Sequence, residues 1–236
     1  MEAWGEVWKA FEQAFTLMGS NDRIMNEIIA TTMYMAFNSS LWSFLIGAPI
    51  GILLSSRNFL GKKIIVTFQR TLMGLPPVAV GIFMFLLFTG TGPFRKLNII
   101  YSVELMILAQ IVLLTPIVAG MTESALSPVS NRMRETVKGL RIGWGKSMFL
   151  TLNEGKYQFV AIYLFAFSRA IAEVGAVQIV GGNILHKTRV MTTAIALNYG
   201  MGEFSLALAL GVILLIIALG ANVAATVLQN LNKKND

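Results

Sequence analysis

FSLALALGVILLIIALGANVAATVL, running from Phe204 to Leu228, holds no charged side chain, and its reading decides the class of fold. A helix of about 20 apolar residues crosses the roughly 30 Å hydrocarbon core of a bilayer. No water is available there for unpaired peptide groups, so such a segment must be helical. Working back toward the N-terminus, similar blocks run from Tyr157 to Val180, Ile99 to Met121, Ile64 to Phe88 and Ile28 to Leu54. Of the 236 residues, 55% are hydrophobic and 13% charged, with a mean hydropathy of +0.66. Soluble domains carry about a quarter charged residues. A soluble chain of this size could not cover so much apolar surface. The expectation is an all-α membrane protein of about five transmembrane helices.

Before the first block, residues 1–20 read as an amphipathic helix. Trp4, Val7, Trp8, Phe11, Phe15 and Met18 recur at helical spacing, with Glu6, Lys9, Glu12 and Gln13 on the other side. A membrane-surface helix and a helix packed on neighbouring spans both fit that pattern. Glu2, Glu6 and Glu12 stand where a signal peptide carries basic residues. Pro49, Pro76, Pro77 and Pro116 lie inside the blocks and point to packed or pore-lining segments, because neighbours must satisfy the carbonyls they free. Gly47, Gly51, Gly74 and Gly81 allow close helix approach.

The net charge of +7 comes from basic residues in short segments flanking the apolar blocks, so it signals topology rather than nucleic-acid binding. Arg57, Lys62, Lys63 and Arg70 follow the first block. Arg132, Arg134, Lys138, Arg141, Lys146 and Lys156 lie between the third and fourth, and Lys233 and Lys234 end the chain. On the other side Lys9, Arg23, Arg95, Lys96, Lys187 and Arg189 are diluted by five acidic residues. This bias puts the N-terminus outside and the C-terminus in the cytoplasm. The absence of cysteine excludes disulfides and thiolate metal sites. His186, the only histidine, makes a poor metal ligand alone and is expected to be solvated.

The inner segment 122–156 is too long for a simple connection. Met133, Val137, Leu140 and Trp144 share a helical face within it, the pattern of a short helix docking on a cytoplasmic partner or lying on headgroups. Gly145-Lys146-Ser147 imitates the end of a phosphate-binding loop. Leu140 stands where that loop needs its first Gly, and no strand precedes it, so ATP has no site on this chain. No cofactor is expected.

In the fourth block, Arg169 and Glu173 are four residues apart and would share one helical face. A charge at the bilayer centre costs at least about 3 kcal/mol, so such residues face a bundle interior or an aqueous path. A local ion pair fixing helix packing and a polar element of a translocation path are both open, and the two can coexist. No carboxylate pair or Ser/His/Asp set has catalytic spacing.

From here a resemblance takes over. Arg169-Ala170, Glu173, Gly175-Ala176-Val177, then Gly182-Asn183-Ile184 and Thr188, together with Leu75-Pro76-Pro77-Val78, Gly92-Pro93 and Thr115-Pro116, resemble permeases of the molybdate, tungstate and sulfate branch of ABC importers. The runs Gly181–Ile184 and Thr188–Ile195 look most like tungstate-type members. The stretch Glu135-Thr136-Val137-Lys138-Gly139-Leu140-Arg141-Ile142-Gly143 is similar to the segment by which such permeases dock on the ATPase; Arg141 stands where the family has Gly, and Glu154 where it has Pro.

The resemblance implies a type I importer permease, one transmembrane domain over residues 1–236. It further implies a second copy of the chain, two cytoplasmic ATPase subunits that bind the ATP, an extracytoplasmic oxyanion-binding protein, and no enzyme activity of its own. It places ATPase coupling on Glu135, Thr136, Val137, Gly139, Leu140, Arg141 and Gly143. The path would be formed by Arg169, Glu173, Gly175, Gly182, Asn183, Thr188, Pro76, Pro77, Thr115 and Pro116. Molybdate or sulfate in place of tungstate is the nearest alternative. An ion-coupled secondary transporter using Arg169 and Glu173 is a more distant one.

Overall fold

The computed structural model describes residues 8, 11–16, 19–20, 22–56, 60–140, 153 and 155–233, of which 129–140 and 228–233 are described by their helical backbone alone. Among these the regular structure is helical throughout: α1 (Arg23–Ser56), α2 (Lys62–Leu72), α3 (Pro77–Phe88), a 3-10 turn (Arg95–Leu97), α4 (Val103–Leu140), α5 (Lys156–Ile171), α6 (Gly175–Gly181), α7 (Met191–Met201) and α8 (Phe204–Lys233). Three helices are long and apolar enough to cross a membrane, Arg23–Ser56, Val103–Pro128 and Phe204–Val227. The count reaches five if α2 with α3, and α5 with α6, are each one interrupted span. The chain is a multi-pass membrane protein.

The interruptions differ from the continuous spans expected for 64–88 and 157–180, and local chemistry explains both. A residue before proline is pushed out of the helical region. Leu75 and Pro76 both precede a proline, Pro76 is extended (φ −65°, ψ 122°), and Pro77 then opens α3 at the position where its missing N–H costs nothing. In the second case α5 ends at Ile171 and Glu173 turns back onto the backbone that follows it. The third block also departs from expectation: 99–102 are not helical, and α4 runs 38 residues, so the inner segment expected to leave the helix at Thr122 stays helical to Leu140. The connection before the last span contains α7.

The packing forms two units. The first comprises Met1–Asn38, Pro76–Gln110 and Ala170–Gly220. Its core gathers Ala14, Met25 and Ile28 with Met191, Ala194, Ala209 and Leu210. Within it α3 and α6 touch almost backbone to backbone: a Cβ on Gly81 would stand 2.9 Å from Ala176 Cα. The second comprises Ser39–Leu75, Ile111–Arg169 and Ala221–Asp236. Ala48, Val118, Ile162 and Ala166 fill its core, with Phe44 edge-on to Phe159 and Tyr163. Here α1 meets α4 through Gly47 and Gly51, where an added Cβ would strike the carbonyls of Thr115 and Ala119. In lipid, where no hydrophobic effect drives helices together, such close contact supplies the attraction. Gly74 differs from these: it closes the turn after α2, with only its own Thr71 nearby.

Candidate functional site

Of the residues that the fourth block singled out, Arg169 belongs to the second unit and Glu173 to the first. Glu173 is almost fully buried in the break after α5. Its Oε1 accepts the backbone N–H of Gly175 at 3.0 Å and of Ala176 at 3.4 Å, and its own carbonyl accepts the Thr192 hydroxyl at 2.9 Å. One side chain therefore satisfies two orphan amides at the start of α6 and shields the positive end of that short helix, while its backbone holds the start of α7. This corrects the expectation of a shared helical face: α5 stops two residues before Glu173. Arg169, half-buried, sits in the last turn of α5, where a cation suits the carbonyl end of a helix. Gly175 leaves room for Val78, whose Cγ2 would lie 2.8 Å from an added Cβ; Pro77 stands next to it.

The turn after α6 is closed by side chains rather than left open. Gly182 ends α6 with φ 68°, a region side chains avoid, and the Tyr101 ring occupies the space a Cβ would need. Asn183 follows with φ 52°. Thr188, fully buried, donates to the Gly181 carbonyl at 2.6 Å and accepts from the Ile184 N–H at 2.9 Å. Asn183 Nδ2 donates to the Thr193 carbonyl at 3.4 Å. Asn183 and Thr188 are thus the hardware of a rigid turn. Arg189, which the sequence motifs left unassigned, joins them: its Nε donates to Asn183 Oδ1 at 3.2 Å and its Nη2 to the Asn183 carbonyl at 3.3 Å. A separation of six residues in an irregular turn carries no periodic signal, which is why the pairing was not legible. His186 is exposed, as expected, and its Nδ1 lies 2.8 Å from Glu27 Oε2.

The second unit holds Thr115 and Pro116, in the middle of α4. The Gln69 side chain of α2 donates to the Pro116 carbonyl, and Gly120, one turn on, makes the space for it. Arg70 Nη2 lies 3.3 Å from Glu123 Oε2, and the Ser127 hydroxyl donates to Glu123 Oε1 at 2.9 Å. Glu123 is buried, and a lone carboxylate there would be costly, so these two partners are what permit α4 to run on as helix past Thr122. The Thr115 hydroxyl is buried without a hydrogen-bond partner among the described residues. Pro76 and Pro77 shape the break before α3 and present no polar atom to a path beyond their carbonyls.

Of the residues expected to couple to an ATPase, Glu135, Thr136, Val137, Gly139 and Leu140 lie on the last turns of α4, with only their helical backbone described, while Arg141 and Gly143 fall outside the described residues. Trp144, Gly145-Lys146-Ser147 and Glu154 fall outside them as well, as do Trp4, Val7 and Met18 of the N-terminal segment.

Comparison with known proteins places these features in a family. A model described as binding-protein-dependent transport system inner membrane component matches residues 47–234. The chain is 33% identical over 213 residues to a probable anion ABC transporter permease protein of Haloferax volcanii, covering 88% of this chain and 92% of that one. It is 33% identical over 223 residues to the tungstate uptake system permease protein TupB of Peptoclostridium acidaminophilum, covering 94% and 98%. To the protein of the same name from Campylobacter jejuni it is 30% identical over 216 residues, covering 92% and 90%.

Proposed function

The chain belongs to the family of binding-protein-dependent transport system inner membrane components, with the all-helical fold of type I ABC importer permeases, and from that premise we propose that it is the permease subunit for tungstate uptake. The observation that carries the substrate is the likeness to two tungstate uptake permeases over more than nine-tenths of this chain. The chain is a transport subunit and not an enzyme; ATP is hydrolysed by a separate subunit.

In this reading two copies of the chain line one pore, two cytoplasmic ATPase subunits dock on the segment from Glu135 to Gly143, and an extracytoplasmic binding protein delivers the oxyanion. The N-terminus lies outside and the C-terminus inside, which the distribution of Lys and Arg supports. ATP binding draws the docking segments together, and α4 carries that movement from Glu135 back to its packed middle. The continuity of α4 from Val103 to Leu140 supports this, because one helix, with Pro128 inside it, links the residues from Glu135 to Leu140 to the Pro116 region. Arg169 attracts the anion along the path. Glu173, with its carboxylate held by two amides, positions the break and keeps its charge from competing with the substrate. Gly175, Gly182, Asn183 and Thr188 hold the turn in place. Thr115 offers a hydroxyl, and Pro76 and Pro77 set where α3 begins. Selectivity rests with the binding protein, so the permease alone holds the anion only weakly.

The test is uptake of tungstate into vesicles holding the permease with its ATPase subunits, ATP inside and the binding protein outside. Uptake strictly dependent on ATP, competed by molybdate more than by sulfate, is the expected outcome. Equal uptake without ATP contradicts the importer reading, and uptake competed best by sulfate moves the substrate to sulfate.

A further inference from the structure

α2 is short and, unlike α3 with which it pairs, carries Lys62, Lys63, Gln69 and Arg70. Its 11 residues extend about 16 Å, half of what a bilayer core requires. Its sequence, KKIIVTFQRTL, divides cleanly into three arcs at about 100° per residue. Gln69 is buried and Val66 half-buried; with the Gln69 bond to the Pro116 carbonyl and the Arg70 pair with Glu123, they anchor one edge of α2 on α4 within the second unit. To one side of that edge lie Ile64, Ile65 and Phe68, exposed by 75%, 46% and 64%. To the other lie Lys63, Thr67, Arg70 and Thr71, also exposed, with the half-buried Lys62 at the leading end of the anchored edge. A helix that turns an apolar arc one way and a basic arc the other, while held along the edge between them, has the form of a helix lying in a membrane interface.

We propose that α2 lies in the headgroup layer of the cytoplasmic leaflet, with Ile64, Ile65 and Phe68 among the acyl chains and Lys62 and Lys63 on anionic lipid headgroups. The cytoplasmic side follows from the topology given above, on which this inference rests; the wholly apolar α3 enters the hydrocarbon after Pro76. Charge decides for lipid over a protein partner. The apolar and basic arcs are segregated, as a water–hydrocarbon boundary demands, and the inner leaflet supplies the negative charge that two adjacent lysines fit. Through Gln69 and Arg70 the lipid-bound helix grips α4 at Pro116 and Glu123, so anionic lipid steadies the helix that leads to the docking segment.

The chain contains no cysteine, so single spin labels can be placed cleanly. Phe68→Cys and Thr67→Cys are labelled separately in the full chain, purified with whatever subunits accompany it and reconstituted in phosphatidylcholine vesicles with and without phosphatidylglycerol. Leu219→Cys on the exposed face of α8 serves as the reference for lipid. The label at Phe68→Cys should be reached by oxygen and not by a water-soluble nickel chelate, as at the reference, and the label at Thr67→Cys by the chelate. Retention of phosphatidylglycerol through purification should weaken roughly thirtyfold when Lys62→Gln and Lys63→Gln are combined. Shielding of both labels from both reagents would overturn the proposal, because a protein then covers α2. Chelate access at Phe68→Cys would overturn it too, because α2 then stands in water. Transport is not part of this readout: a chain that moved no oxyanion would sink the importer reading and leave the label pattern standing.

Discussion

Glu173 shows how far a single buried charge can be read before and after folding. In the sequence it is a carboxylate inside an apolar block, four residues from an arginine, and the helical-face reading follows from spacing alone. What spacing cannot contain is that the carboxylate itself ends the helical register, by accepting the amides of Gly175 and Ala176. The charge was legible; the break it stabilises was not. The consequence is measurable. Glu173→Ala leaves the half-buried Gly175 amide and the buried Ala176 amide without an acceptor, at a cost of about 1–3 kcal/mol, and should lower the unfolding midpoint of the purified complex by several degrees. Glu173→Gln keeps an oxygen in place and should cost distinctly less. Equal losses in the two variants would mean that the hydrogen bonds are not what Glu173 contributes. The glycines teach a similar lesson. Gly47, Gly51 and Gly81 stand where another helix needs the space of a side chain, as small residues in apolar blocks suggest. Gly74 has the same sequence surroundings and serves a turn instead, because the proline pair after it stops the helix first.

At the scale of elements, the apolar blocks gave the helical class and the order of the apolar helices, since length and hydropathy are properties of the chain itself. Their ends were less legible. α4 extends beyond its apolar stretch because Arg70 and Ser127 satisfy Glu123, and those partners are distant or unremarkable in sequence. α7 was hidden because its first turn, Met191–Ala194, is buried for tertiary reasons, with the Met191 N–H bonded to the Thr32 hydroxyl at 2.8 Å. The break between α2 and α3 was half visible: the proline pair marked the place, but 64–88 reads as one apolar block and the amphipathic pattern of α2 does not stand out within it. Replacing both Pro76 and Pro77 by Ala removes the bias against helix at Leu75 and Pro76 and lets the two helices fuse. Uptake by the reconstituted importer should fall tenfold or more while the subunits still co-purify. Unchanged uptake would make the break incidental to transport.

For the whole molecule, the proposed function joins a multi-pass helical chain to an energy source that lies on another chain. Composition established the membrane, the charge distribution suggested the orientation, and the ordered motifs from Leu75 to Thr188 pointed to the family that the comparisons then gave. Partners were beyond the reach of residue chemistry alone, because a docking segment looks like any amphipathic helix until the surface that receives it is known. The central claim is that this chain works only with an ATPase seated on the segment from Glu135 to Gly143. The most direct test is gentle detergent extraction of the tagged chain from its native membrane and identification of what comes with it. The account predicts a stoichiometric ATPase subunit that disappears when Glu135→Ala and Leu140→Ala are combined, with the permease itself still folded. A chain that emerges alone and still carries oxyanion into vesicles without ATP would contradict it.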